Sequence, residues 1–146
     1  MNKYSSTIRR VSRIIGRFTG KAHRLEAKAF CFLYEGKEYE KALEYLLEAR
    51  EIDESFWHAG AHNINIAIAY LGVNNRKLAM EHFIKGYEIV GNNLSAYASL
   101  SVWLSIGLDK YAQLLENDGD NMAAQKVRKS IEEISRLDKK ALHGTL

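Results

Sequence analysis

The chain of 146 residues contains no proline and a single cysteine. One thiol cannot close an internal disulfide, which points to a reducing compartment. Helices do without proline easily, whereas loop-rich β folds usually place some in their turns. No uninterrupted apolar stretch approaches the ~20 residues that span a bilayer, and the N-terminus has no apolar core of a secretory signal. Acidic residues are missing from positions 1–25, which carry Lys3, Arg9, Arg10, Arg13, Arg17, Lys21 and Arg24, a charge of +7. The other 121 residues hold 14 basic and 18 acidic side chains, so the net +3 joins an arm and a body of opposite sign. Glycine-rich phosphate loops are absent.

What is present is helical periodicity. The hydrophobic fraction of 47% is enough for a core, and 27% charged residues can solvate the surface. Residues 40–52 align without a gap on residues 77–89, an offset of 37. Both segments carry apolar or small residues at helical spacing and follow a turn-prone stretch. Another apolar helix is expected before each, over about 21–35 and 56–71. A third pair follows, over about 94–116 and 121–140, separated by the turn signal Asn117-Asp118-Gly119-Asp120. Residues 63–70 alternate with period two, as a strand would, but the repeat and its alanines favour helix. Cys31, inside the run Phe30-Cys31-Phe32-Leu33, reads as a small buried hydrophobe.

Ile8, Val11, Ile14, Ile15 and Phe18 recur at helical spacing, opposite Arg9, Arg10, Arg13 and Arg17. Residues 1–20 are therefore expected to be a basic segment with an amphipathic helix over 5–18. Four roles are open to it: a cap on the first repeat, a gate over the protein's own groove, a contact to nucleic acid or anionic membrane, or an organelle-targeting signal. Residues 21–146 are expected to be one helical domain.

Within that domain the pattern resembles the tetratricopeptide repeat family. In the first repeat the family's apolar, small and aromatic places fall to Leu25, Ala29 and Phe32, then Ala42, Leu46 and Ala49, with Gly36 and Tyr39 near the turn. In the second they fall to Ile66, Ala67 and Tyr70, then Ala79, Phe83 and Gly86. In the third they fall to Trp103, Ile106 and Gly107, then Ala123, Val127 and Ser130. The proline that often ends such repeats is replaced by Glu54, Gly91 and Ser135. The resemblance implies an all-α fold, a right-handed superhelix of about three antiparallel helix pairs with an extra N-terminal amphipathic helix. It implies binding without chemistry: a cytoplasmic adaptor, chaperone or assembly factor, not an enzyme and with no cofactor, taking a peptide or helix of another protein in a concave groove. The groove residues expected are Phe30, Leu33, Ile64, Asn65, Ile68 and Leu71. Some repeats of this kind grip a C-terminal carboxylate with Lys, Asn and Arg; Asn65 fits, but Glu26 and Phe30 are the wrong chemistry at the matching places. The alternative is a nucleic-acid or anionic-membrane binder acting through the basic arm, with organelle targeting as the alternative to a cytoplasmic location. His58 and His62, four apart, are expected as two exposed histidines on one helix face; that spacing can chelate a metal, but no third ligand is indicated and no metal site is expected. Asp118-Gly119-Asp120 lacks the later oxygen ligands of a calcium loop, since Met122 and Lys129 fall there.

Overall fold

Most of the helices follow the 3.6-residue apolar period of the sequence, and they end in turns where the next backbone N–H groups reach back to the last carbonyls. In the computed structural model, residues 20–142 are described; the expectations for residues 1–19 lie outside them. Six helices of eleven residues or more follow in order: α1 (Lys21–Cys31), α2 (Tyr39–Ile52), α3 (Gly60–Gly72), α4 (Arg76–Gly91), α5 (Ser101–Asn117) and α6 (Asn121–Leu142). There is no strand among the described residues. The period-two segment 63–70 lies within α3.

The helices pair in succession, and contacts at opposite ends make each pair antiparallel. Lys21 of α1 sits 3.8 Å from Glu48 of α2, while Phe32 just past α1 stacks on Tyr45. Gly60 at the start of α3 meets Ile89 and Val90 at the end of α4. Arg128 of α6 donates to Asp109 and Glu116 of α5, and Ser101 donates to Asp138 at 2.8 Å. The 37-residue offset maps onto equivalent places in the packing: Ala42 and Ala79 are fully buried, as are Leu46 and Phe83, and Ala49 and Gly86 are enclosed.

Helix α3 is the centre of this arrangement. Its residues 62–70 are all buried, because α2, α4 and α5 surround it. Two glycines let its neighbours close in. A Cβ on Gly86 of α4 would lie 2.9 Å from Ile64 Cδ1, and one on Gly107 of α5 would overlap Ile64 Cγ2. With no side chain there, the helix backbones approach closely.

Several boundaries depart from expectation. Helix α1 ends in a wide π turn over Phe32–Gly36, closed by Lys37 in the left-handed region at φ 50°. The helix expected from Phe56 is broken: Glu54–His58 is a 3-10 turn, started where the Asp53 carboxylate accepts from the Ser55 N–H and hydroxyl, and α3 begins only at Gly60. The long helix expected over 94–116 is broken too. A single turn at Leu94–Tyr97 and a 3-10 turn at Ala98–Leu100 precede α5, and the Tyr97 hydroxyl accepts from the Gly60 N–H at 3.2 Å. The expected turn at 117–120 is present, with Gly119 at φ 82°. In α6 the buried small residue is Ala124, one place along from the expected Ala123, while Ser130 sits 2.9 Å from the Tyr87 hydroxyl. Ile106, matched to a place in the third repeat, is exposed beside buried Gly107. No described helix is long and apolar enough to cross a membrane.

Candidate functional site

The first helices of the three pairs, α1, α3 and α5, converge on one cavity of about 220 Å³. Phe30 from α1 and Trp103 and Leu104 from α5 make its walls, and Glu26, His23 and Asn65 supply its polar groups. Phe30 and Trp103 meet edge to face at 5.2 Å, and Tyr34 packs on both, at 4.7 and 5.4 Å. Such contacts hold the rings in place.

Asn65 is buried, and Glu26 and His23 are half-buried. The Tyr34 hydroxyl donates to Asn65 Oδ1 at 2.7 Å. Burial pushes the Tyr34 phenol well above its ordinary range, and the Glu26 charge adds to this, so the hydroxyl stays a donor. The Glu26 side chain is 15% exposed, and its Oε1 lies 3.3 Å from Nδ1 of fully buried His62. That contact is not a hydrogen bond: neither ring nitrogen of His62 has a partner in hydrogen-bonding geometry. His62 packs at a tilt on Phe56 at 5.0 Å, and His23 packs against the same ring at 4.8 Å.

The six residues expected along one groove are divided by the structure. Phe30 and Asn65 line this cavity. Leu33 and Ile64 belong to the core, Ile64 without any exposed surface. Ile68 and Leu71 line a different hollow with Tyr39, Gly72 and Lys110. The reason is that α3 is enclosed on every side, so its apolar residues point to three different neighbours. The histidine pair is also corrected. The chain breaks at Ala59, leaving His58 exposed on the 3-10 turn and His62 buried on α3, so they do not share a helix face. Cys31 is half-buried rather than enclosed. The residues Arg9, Arg10, Arg13 and Arg17 lie outside the described part. Sequence reasoning missed Glu26, His62, Tyr34 and Trp103 as one group; no period in the sequence joins three helices whose residues lie up to 77 positions apart.

A second cluster sits elsewhere. The Arg50 guanidinium lies 3.7 Å over the Trp57 ring, with Lys85 at 5.4 Å from the same ring. Arg50 also reaches His82 Nε2 at 3.0 Å, while His82 Nδ1 is 2.8 Å from the Leu78 carbonyl. Nδ1 therefore carries the proton and Nε2 accepts, which makes His82 neutral. Burial, with Arg50 adding to it, holds His82 below the usual histidine range.

No family model, curated protein or solved structure matches the chain.

Proposed function

We infer that the chain is a protein-binding module of three tetratricopeptide-like helix pairs, which takes a helix or peptide of a partner protein and performs no chemistry itself. The observation that carries this reading is the cavity between α1, α3 and α5. Residues from the first helix of all three pairs line it, the surface that a stack of such pairs uses for binding. Its walls are aromatic and aliphatic, the residue types that dominate binding hot spots. Such a module serves as an adaptor, chaperone or assembly factor. A right-handed superhelix is the geometry that this family reading entails.

Affinity capture with the full chain from its native cells tests the reading. A partner protein should be retained by the wild type and lost with Phe30→Ala, while circular dichroism shows the helices of the variant intact. Retention should change little with salt, because the contact is largely apolar. The basic N-terminal residues suggest the competing reading, in which nucleic acid or an anionic membrane is the target. Capture of polyanions that weakens by orders of magnitude between about 50 and 200 mM salt, and is indifferent to Phe30→Ala, would favour that reading instead.

A further inference from the structure

Arg50, near the end of α2, is a buried cation whose contacts are all uncharged. The Trp57 ring lies 3.7 Å from its guanidinium, and Nη1 donates to the neutral His82 at 3.0 Å. Burial holds Arg50 below its ordinary range, opposed by Tyr70 and Glu51. Lys85 of α4 approaches the same indole at 5.4 Å. Among the described residues, no carboxylate forms an ion pair with Arg50, Lys85 or His82. The acids nearest in sequence are Glu51, Glu54, Glu81 and Glu88, and all four are exposed. Glu51 acts on Arg50 and Glu81 on His82 only through space. With Nη1 engaged, the other two nitrogens of Arg50, Nε and Nη2, make no hydrogen bond and are not sealed from solvent. On a planar guanidinium those two N–H groups point the same way, as the fork that grips both oxygens of a carboxylate.

We propose that this edge of Arg50, with Lys85 beside it, binds a carboxylate carried by an acidic side chain of the partner protein. The inference rests on the binding-module reading and adds one charged contact to the apolar one. Charge complementarity selects the occupant, because two cations share one indole and neither has an acid in contact. A single negative charge fits better than two, since the four glutamates around the site would oppose a phosphate dianion. The planar fork fits the two oxygens of a carboxylate and offers nothing to a neutral apolar group. The site joins the cavity through Phe56, which precedes Trp57 and packs on the cavity residue His23. A partly buried ion pair is screened little by salt, so this contact leaves partner retention nearly salt-insensitive.

The test titrates the full chain with sodium acetate at constant ionic strength. Acetamide serves as the neutral counterpart and inorganic phosphate as the dianion. The Arg50 Nε–H and the two tryptophan indole N–H resonances report by NMR. The expected result is a saturable shift of Arg50 and Trp57 with acetate, at a Kd on the order of 10 mM, with Trp103 unmoved. Acetamide should give no saturable shift, and phosphate should bind no tighter than acetate. Arg50→Lys keeps the charge but removes the fork, and should weaken acetate about tenfold. Should that variant fail to fold, Lys85→Gln changes a half-exposed residue and should weaken acetate roughly two- to fivefold. Equal shifts with acetamide, tighter binding of phosphate, unchanged acetate binding in a folded variant, or no saturable shift would each overturn the proposal. Affinity capture separates this contact from the cavity. A partner lost with Phe30→Ala but kept by Arg50→Lys leaves the module standing and overturns the charged contact. A partner lost with Arg50→Lys but kept by Phe30→Ala supports the charged contact and removes the cavity.

Discussion

Gly107 shows how much of this molecule depends on single small side chains. A methyl group there would enter the space of Ile64 Cγ2 and press on Ile68 Cδ1 at 3.1 Å. Gly107→Ala should therefore cost about 1–3 kcal/mol by overpacking, despite its better helix propensity. Leucine has no methyl branch at Cβ, so Ile64→Leu should recover part of that loss. Urea unfolding of the two single variants and the double variant measures the coupling; strict additivity would mean that Gly107 and Ile64 do not meet as described. His82 gives a residue-scale prediction in pH. Its folded value is depressed, so the unfolded chain binds the proton first. Its contribution to stability is full above about 6.5, the unfolded value, and declines as pH falls from there toward the lower folded value. His82→Gln should flatten this part of the stability profile. Parallel profiles for wild type and variant between pH 7 and 5, roughly the window in which histidine titrates, would contradict the assignment.

At the scale of the helix, periodicity located all six elements, and it misplaced their breaks. Residues 40–52 and 77–89 are legible because each has one buried face and solvent opposite, so their apolar period survives in the sequence. Helix α3 was harder, since its residues 62–70 are buried all round and leave no polar face to count against. The breaks at Ala59 and before Ser101 are joined by a contact between distant residues, Tyr97 with Gly60, which no period in the sequence announces. The same cause hid the cavity. Glu26 looked like a mismatch to a carboxylate-binding pattern, and only the fold brings it beside His62 and Trp103. Where the sequence does carry a local start signal, its strength can be measured. Asn75 caps α4, its Oδ1 accepting from the Leu78 N–H at 3.2 Å. Asn75→Ala should cost about 0.5–2 kcal/mol in thermal unfolding. Asn74, in the left-handed region at φ 62°, belongs to the same turn, so Asn74→Gly should be tolerated while Asn74→Val destabilises.

For the whole molecule, three helix pairs give two kinds of surface. Their shared interior is filled by α3 and closed by the glycines against it. The first helices instead share a cavity lined by Phe30, Trp103 and Leu104 together with the half-buried Glu26 carboxylate. On the proposed reading, partner recognition is concentrated there and the outer faces of α4 and α6 are bystanders. Met122 of α6, which is 83% exposed, is a suitable control on that outer surface. A photoreactive benzoylphenylalanine placed at Leu100, on the cavity rim, and separately at Met122 compares the two surfaces inside native cells. The account predicts a covalent adduct with a discrete partner protein from position 100 and none from position 122. Adducts from both positions alike, or from position 122 alone, would contradict it.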